Sequence, residues 1–281
     1  MRSATASGLS LARPGSLENV RGVPLAGGTD LVPLLRDGLV EAERLEDVRD
    51  LLPRGVEGDR IGAGTTLAEL ERSEGVPEAL REACRLAASP QLRNMGTIGG
   101  NLLQATRCWY WRLDYPCFLH GGERCHAREG EHREHAIFAN ELCASAHPSD
   151  PATALLALSA VVETDRRRLA LRELYRLPTE GDRSLTTLED GELILHVAHE
   201  RPAASTYLKA MDRQRFSFPL VGVAAARFGD DVRLALSGVA PIPWALESAD
   251  DVGRATPLPG NAYKVDIARA LVRRAVDAVR A

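Results

Sequence analysis

The chain has 281 residues, of which 44% are apolar, and a net charge of −4 at pH 7, which suits one large globular domain or two modest ones. The acidic balance argues against nucleic acid as a partner, and no apolar run approaches the roughly 18 residues of a membrane-spanning helix. Because the first residues lack the apolar core of a signal peptide and the five cysteines are odd in number, we expect a reduced, cytoplasmic protein, with export on a signal-bearing partner as the open alternative.

Glycine-rich turns punctuate the N-terminal half of the sequence. A short strand predicted over residues 23–26 runs into the first turn, which comprises Ala26, Gly27, Gly28, Thr29, Asp30 and Leu31. Thr29 or Asp30 is then expected to cap a helix over residues 31–36. A strand or short helix follows at 45–52, a glycine-containing strand at 60–64, and a helix at 67–72 with Thr66 at its cap. Residues 77–88 form an amphipathic helix that buries Cys84.

The second turn lies at residues 96–101 and contains Thr97, Gly99, Gly100 and Asn101. Glycine lets the backbone approach a ligand closely and adopt positive φ, and successive free N–H groups in such a turn bind phosphate. A single Gly-Gly pair is usually only a turn. Two such turns, each beside an apolar run, predict a diphosphate group held between them.

Four of the five cysteines occupy the loop between Asn101 and Asp150. They are Cys108, Cys117, Cys125 and Cys143, with the spacing C-x8-C-x7-C-x17-C. Soft thiolates select zinc or iron–sulfur clusters, and structural zinc sites use close cysteine pairs, which this spacing lacks. The spacing therefore favours a [4Fe–4S] cluster. Two alternatives stay open at this point: four unrelated buried thiols, or a mixed site that uses the histidines of the same region, which are His120, His126, His132, His135 and His147.

The C-terminal half has a different pattern. An apolar helix is predicted over residues 151–162, with Pro151 in its first turn, followed by a strand at 161–164. Residues 166–183 are a charged connection and the best candidate for a boundary. Strands at 192–199, 206–209, 220–228 and 232–239 have the spacing of an antiparallel meander, and an amphipathic helix at 265–279 closes the chain. We predict an α+β fold with domains at 1–165 and 166–281 and a cysteine-loop insertion at about 102–148.

Three motifs connect these features to a known family. GGTDLVPLL, LRNMGTIGGNLLQ and HPSDPATALLAL together resemble the FAD-binding medium subunit of the molybdenum hydroxylases, the family of xanthine dehydrogenase and carbon monoxide dehydrogenase. The similarity runs nearly from end to end. The cysteine loop resembles the subtype whose flavin subunit carries an extra [4Fe–4S] cluster, as in 4-hydroxybenzoyl-CoA reductase and, more closely, the bacterial three-subunit aldehyde oxidoreductases.

The resemblance implies a two-lobed FAD-binding fold followed by a C-terminal antiparallel sheet with helices, and it assigns roles to the residues of the turns. The first turn would wrap the FAD diphosphate with the N–H groups of Gly27, Gly28 and Thr29, and the second turn would face it. Asp150 would hydrogen-bond the FAD, Ile194 would pack on the flavin, and Lys209 would reach it. The cluster ligands would be Cys108, Cys117, Cys125 and Cys143.

The function that this resemblance implies is electron transfer within a multi-subunit oxidoreductase acting on an aldehyde or aromatic substrate. The expected partners are a molybdopterin-binding large subunit and a [2Fe–2S] small subunit, and no catalytic residue is expected in this chain. Two departures from the family pattern, a short segment after Pro14 and Ala245 in place of an arginine, keep a free-standing FAD-dependent oxidoreductase as the alternative. A cluster- or zinc-stabilised binding module is the third hypothesis.

Overall fold

The computed structural model describes residues 8–281. The prediction that the chain starts without a signal peptide concerns residues 1–7 in part, and these lie outside the described range. The strands are β1 Ser10–Ala12, β2 Val23–Leu25, β3 Arg44–Asp47, β4 Val56–Glu57, β5 Arg60–Gly62, β6 Val161–Thr164, β7 Arg168–Ala170, β8 Ile194–Ala198, β9 Ala204–Ala210, β10 Val221–Phe228, β11 Asp231–Ser237 and β12 Trp244–Leu246. The helices are α1 Leu31–Arg36, α2 Leu67–Arg72, α3 Glu78–Leu86, α4 Pro90–Met95, α5 Ile98–Leu102, α6 Trp109–Arg112, α7 His126–Glu129, α8 Asp150–Ala157, α9 Leu171–Leu174 and α10 Tyr263–Arg280.

These elements form three sheets, and the α+β prediction is confirmed. A small parallel sheet has the order β1-β3-β2, and strand β2 delivers the chain into the first glycine turn. A second sheet has the order β4-β5-β8-β6-β7, and a third the order β12-β11-β10-β9, both with antiparallel pairs. Within residues 8–281, no helix has the length and apolar character needed to cross a membrane.

The third sheet is buried on both faces, and the side chains of strand β10 point alternately to the two faces. Ala224 and Ala226 belong to the core that contains helices α3 and α8, whereas Val221 and Val223 belong to the core beneath helix α10. Side chains along a strand point to opposite faces in turn, so an entirely apolar strand such as β10 is what a sheet between two helical layers requires. The C-terminal helix thereby covers the face of the sheet opposite to α3.

Several local predictions are confirmed. Helix α1 covers residues 31–36, and Thr66 caps α2 through a reciprocal capping box with Glu69. Cys84 is fully buried in the apolar core of α3. The prediction that strand 192–199 joins the C-terminal meander is wrong, because β8 pairs with β5 and β6 in the second sheet. The predicted boundary at residue 165 falls inside that same sheet, between the paired strands β6 and β7.

Candidate functional site

The two glycine turns lie directly against each other. Gly28 has φ of +68°, a value that residues with a side chain rarely adopt. A Cβ atom on Gly27 would collide with the backbone carbonyl of Met95, at the end of helix α4, and a Cβ on Gly96 would lie 3.3 Å from Oγ1 of Thr29. The contact between the turns therefore requires glycine at position 27 and leaves little room for a side chain at position 96.

The two turns differ in what they can offer a ligand. Among residues 8–281, the backbone N–H groups of Gly27, Gly28 and Thr29 have no hydrogen-bond acceptor. In the second turn, Gly99 N–H donates to the carbonyl of Ala63 at 3.0 Å, and the N–H groups of Gly100 and Asn101 donate to the side chain and carbonyl of Thr97. The first turn therefore has free N–H donors for a ligand, whereas the N–H groups of Gly99, Gly100 and Asn101 in the second turn are already hydrogen-bonded within the chain.

Both turns border a groove. A cavity of about 300 Å³ lies between them, within the size range of small-molecule sites. Its lining includes Ala26, Gly27, Gly28, Thr29, Asp30, Leu31, Thr97, Gly99, Gly100 and Ile194. A second cavity of about 160 Å³ shares Thr29, Asp30 and Gly100 with the first and is lined by Asn101, Asp150 and Lys209. The predicted residues thus line two adjoining cavities, which we call the groove, with Ile194 in the first cavity and Lys209 in the second.

Asp150 and Lys209 form a buried ion pair at the second end of the groove. Their side chains are 3% and 1% exposed, and Lys209 Nζ donates to Asp150 Oδ2 at 2.7 Å and to the carbonyl of Leu86 at 3.0 Å. The Tyr207 hydroxyl donates to the other carboxylate oxygen and lies 2.9 Å from Ser237 Oγ. Burial raises the pKa of Asp150, and the charge and hydrogen bond of Lys209 oppose that rise.

Tyr207 was not predicted as a site residue, although the sequence contains a signal for it. It precedes Lys209 by two positions on strand β9, so the two side chains point to the same face of the sheet. Asp150 begins helix α8, where Ser149 caps the N-terminus and donates to Asn101 Oδ1 at 2.6 Å. The second glycine turn, helix α8 and strand β9 thus converge on one polar network.

Asp30 connects the first turn to the cysteine loop. It stands at the N-cap position of helix α1, but its side chain makes no capping hydrogen bond. The prediction that Asp30 caps this helix through its side chain is therefore wrong. Its carboxylate instead forms ion pairs with Arg107 at 2.9 Å and with Arg112 at 3.0 Å, and it accepts a hydrogen bond from the N–H of Ala105 at 2.7 Å. Three residues of one loop therefore converge on a single carboxylate of the turn.

The four loop cysteines are free thiols that influence one another. The neighbouring Cys143 lowers the pKa of Cys125, and the N–H of Ala144 donates to the Cys125 sulfur at 3.3 Å. The Cys143 thiol itself donates to Ser145 Oγ at 3.3 Å. Burial raises the pKa of Cys108 to about 11, and the nearby Cys125 and Cys117 contribute to the rise. Across residues 8–281, no three His, Cys, Asp or Glu side chains are close enough to hold a single metal ion.

The five histidines of the region are in different surroundings. His135 Nε2 lies 3.1 Å from Cys108 Sγ, whereas His120, His126 and His132 contact backbone carbonyls. Burial, followed by the charge of Lys264, lowers the pKa of His135 to about 4, so the ring is neutral at pH 7. Burial alone lowers the pKa of His147 to about 3. Of these histidines, only His135 has a sulfur contact within the described chain.

Solved structures share this fold over nearly the whole chain. Reconstituted CO dehydrogenase from Oligotropha carboxidovorans matches with a TM-score of 0.67 and 22% identity, and covers 97% of both chains. Carbon monoxide dehydrogenase from Hydrogenophaga pseudoflava matches with a TM-score of 0.67 and 23% identity over the same shares. The chain therefore has the fold of these CO dehydrogenase chains.

Sequence comparison is more specific. Residues 14–198 match the family described as FAD binding domain in molybdopterin dehydrogenase. The aldehyde oxidoreductase FAD-binding subunit PaoB of Escherichia coli is 39% identical over 245 residues, which are 80% of this chain and 77% of that protein. The carbon monoxide dehydrogenase medium chain of Afipia carboxidovorans is 28% identical over 92% of this chain and 88% of that one. The chain belongs to the family of FAD-binding medium subunits of molybdenum hydroxylases.

Proposed function

We propose that the chain is the electron-transfer subunit of a molybdenum-dependent oxidoreductase acting on an aldehyde or aromatic substrate, and that it carries FAD and a [4Fe–4S] cluster. The FAD exchanges electrons singly or in pairs, which is the cofactor's own chemistry. The chain provides the binding site, the orientation and the surrounding charge. The similarity to an aldehyde oxidoreductase FAD-binding subunit supports this choice.

The main support for the proposal is that the two glycine turns contact each other beside the free backbone N–H groups of the first turn. The donors of Gly27, Gly28 and Thr29 would hold the diphosphate, since oriented backbone N–H groups form an anion site. The second turn would face the ligand through Gly99 and Gly100, which both line the first cavity. The two adjoining cavities would take the ring systems at the two ends of the dinucleotide.

The two ends of the groove suit different rings. The end with Ile194, Val48 and Leu52 is lined mostly by apolar side chains and would take the adenine. The end with Asp150 and Lys209 would take the flavin, which fits the prediction for Lys209 but separates Ile194 from it. The ammonium of Lys209 has three donors, of which two contact Asp150 and Leu86. The third would place positive charge beside the flavin, where a negative charge develops on reduction.

The cysteine loop would hold the [4Fe–4S] cluster through Cys108, Cys117, Cys125 and Cys143. Support comes from their position on one loop and from the effect that the neighbouring cysteines have on the pKa of Cys108 and of Cys125. Thiolates are the ligands that iron–sulfur clusters require. Cys143 and Asp150 lie on one continuous segment, which would bring the cluster near the flavin end of the groove.

The proposed partners are a molybdopterin-binding large subunit and a [2Fe–2S] small subunit. The chain would receive electrons from the [2Fe–2S] subunit and pass them to an external acceptor. Affinity purification from the native host tests this assembly. Recovery of both subunits with the chain is expected, whereas an active yellow protein without them would favour the free-standing oxidoreductase.

Anaerobic purification with cofactor analysis tests the cofactor assignment. We expect flavin absorbance bands over a broad iron–sulfur shoulder, one FAD per chain, and the four irons and four sulfides of a single cubane. Colourless protein without flavin or iron would overturn the proposal. Flavin without iron would leave the FAD assignment standing and remove the cluster.

The ligand set has its own test in Cys125→Ser. Loss of one thiolate should reduce the iron content at least severalfold while FAD remains bound, because the groove contains no residue of the cysteine loop between 113 and 143. Cys84→Ser is the matched control, since Cys84 lies in the apolar core of α3, and it should keep its iron. Unchanged iron in Cys125→Ser would contradict the ligand assignment.

A further inference from the structure

His135 is a buried histidine that the proposed function leaves without a role. Its imidazole Nε2 lies 3.1 Å from Cys108 Sγ, and the residue is 2% exposed. The other ring nitrogen, Nδ1, is buried and has no hydrogen-bond partner within the part of the chain that the structure describes. The ring therefore has a single polar contact, and that contact is with a sulfur atom.

The surroundings fix the position of this ring. Its backbone carbonyl accepts from Lys264 Nζ at 2.8 Å and from Asn261 Nδ2 at 3.1 Å, and its N–H donates to the carbonyl of His132 at 3.0 Å. The ring of Trp109 meets it edge to face, with the centroids 4.6 Å apart. Because its backbone is hydrogen-bonded and its ring packs against Trp109, the His135 imidazole has little freedom to move away from the Cys108 sulfur.

The direction of the contact follows from the chemistry of Cys108. A cysteine sulfur bound to iron has lost its proton and can only accept a hydrogen bond. The short distance then requires that Nε2 carry the hydrogen and donate it. The opposite tautomer would place an N–H at Nδ1, where the described chain offers no acceptor, and would set two lone pairs against each other at the sulfur.

We propose that His135 donates an N–H···S hydrogen bond to Cys108 and thereby raises the reduction potential of the [4Fe–4S] cluster. This inference rests on the proposed function, since it needs the cluster to be present. Hydrogen bonds to the sulfurs are one of the factors that set cluster potentials. A donor withdraws electron density from the sulfur, so it stabilises the more negative, reduced cluster. His135 is accordingly a positioning residue, which acts on the reduction potential of the cluster through Cys108.

The test is a reductive titration of the anaerobically purified full chain, with the cluster followed by electron paramagnetic resonance and the iron and FAD contents measured on the same sample. His135→Phe keeps an aromatic ring against Trp109 but has no donor. We expect it to retain iron and FAD and to show a cluster potential lower by about 59 mV, which is a tenfold change in a one-electron equilibrium. His135→Gln restores a donor and should recover part of the shift.

His132→Phe is the matched control, because His132 lies in the same loop and contacts Gly260 and Ala127 rather than a sulfur. It should keep the wild-type potential. His135→Phe with full iron and an unshifted potential would overturn the inference. If His135→Phe loses its iron, His135→Gln decides: iron with a potential at or slightly below the wild type supports the hydrogen bond, and loss of iron there also overturns it. Wild-type protein without iron would refute the cluster itself, which is a distinguishable result.

Discussion

At Gly27 the absence of a side chain is what allows the two turns to meet. Gly27→Ala would place a Cβ against the Met95 carbonyl, so the turns must separate and the row of N–H groups must move. We expect FAD binding at least about tenfold weaker, which corresponds to about 1.4 kcal/mol, measured as flavin content and by titration of the apoprotein. Gly15→Ala is the control, because a Cβ there meets open space. Wild-type affinity in Gly27→Ala would contradict the placement of the diphosphate.

The buried pair Asp150–Lys209 makes a second residue-level prediction. Lys209→Met would leave a buried carboxylate without its cation, and breaking such a pair typically costs about 3–5 kcal/mol. The double variant Lys209→Met/Asp150→Asn removes both charges and should recover much of that loss, since Tyr207 can still contact the amide. Denaturant unfolding of the apoprotein measures both without interference from FAD. Equal losses in the single and double variants would show that the charges are not coupled.

Residues whose role depends on local chemistry could be predicted from the sequence. The turns were found from glycine spacing, and the cap at Thr66 from the motif that precedes an apolar run. His135 and Tyr207 could not be found in this way, because their importance arises from contacts with residues distant in the sequence. His135 meets Cys108 across the loop, and Tyr207 on strand β9 meets Asp150 at the start of helix α8. Only Tyr207 has a local signal, its alternation with Lys209.

At the scale of elements, the sequence predicts the position of a strand more reliably than it predicts which strand pairs with it in the sheet. Residues 192–199 have a strand pattern, and β8 forms there, but its partners β5 and β6 lie far earlier in the chain. Hydrophobic alternation defines the faces of a strand and carries no information about which strand lies beside it. Strands β9, β10 and β11 were assigned correctly because each pairs with its sequence neighbour.

Lys264 anchors helix α10 to the cysteine loop. Because its pKa is shifted, we expect the free energy of unfolding to depend on pH. The ammonium is fully buried and donates to the carbonyls of Glu134, His135 and Gly238. Burial lowers its pKa from 10.5 to about 7. Between these values the unfolded chain binds the proton and the folded chain does not, so the free energy of unfolding rises with pH across this window. Below about pH 7 both states are protonated and the contribution is constant.

Lys264→Met should remove this dependence. The wild type should gain stability relative to the variant between about pH 7 and 10, with a slope of at most about 1.4 kcal/mol per pH unit, as measured by denaturant unfolding at several pH values. Arg269→Met, on the exposed face of the same helix, controls for the loss of a positive charge and should keep the wild-type profile. Parallel profiles for the wild type and Lys264→Met would refute the assignment.

At the scale of the whole molecule, the groove between the glycine turns and the cysteine loop are joined through one carboxylate. Asp30 belongs to the first glycine turn, yet its carboxylate forms ion pairs with Arg107 and Arg112 and accepts a hydrogen bond from the N–H of Ala105, all residues of the loop. Arg107 also lies over the ring of Phe218, with 4.8 Å between the guanidinium carbon and the ring centroid, at the wall that the second cavity shares with the cysteine loop. We expect this short chain of charged contacts to couple the groove to the cysteine loop.

Asp30→Asn tests this link. The amide keeps the size of the side chain but removes the charge between two arginines, so their mutual repulsion should loosen both the turn and the start of the loop. We expect FAD and iron contents to fall together, each by at least about twofold, whereas Gly27→Ala should lower FAD alone and Cys125→Ser iron alone. The neighbouring Asp37→Asn is the control, because Asp37 pairs only with the exposed Arg36 in the described structure, and both contents should stay at the wild-type level. If Asp30→Asn lowers only one cofactor, the two sites are independent despite their shared carboxylate.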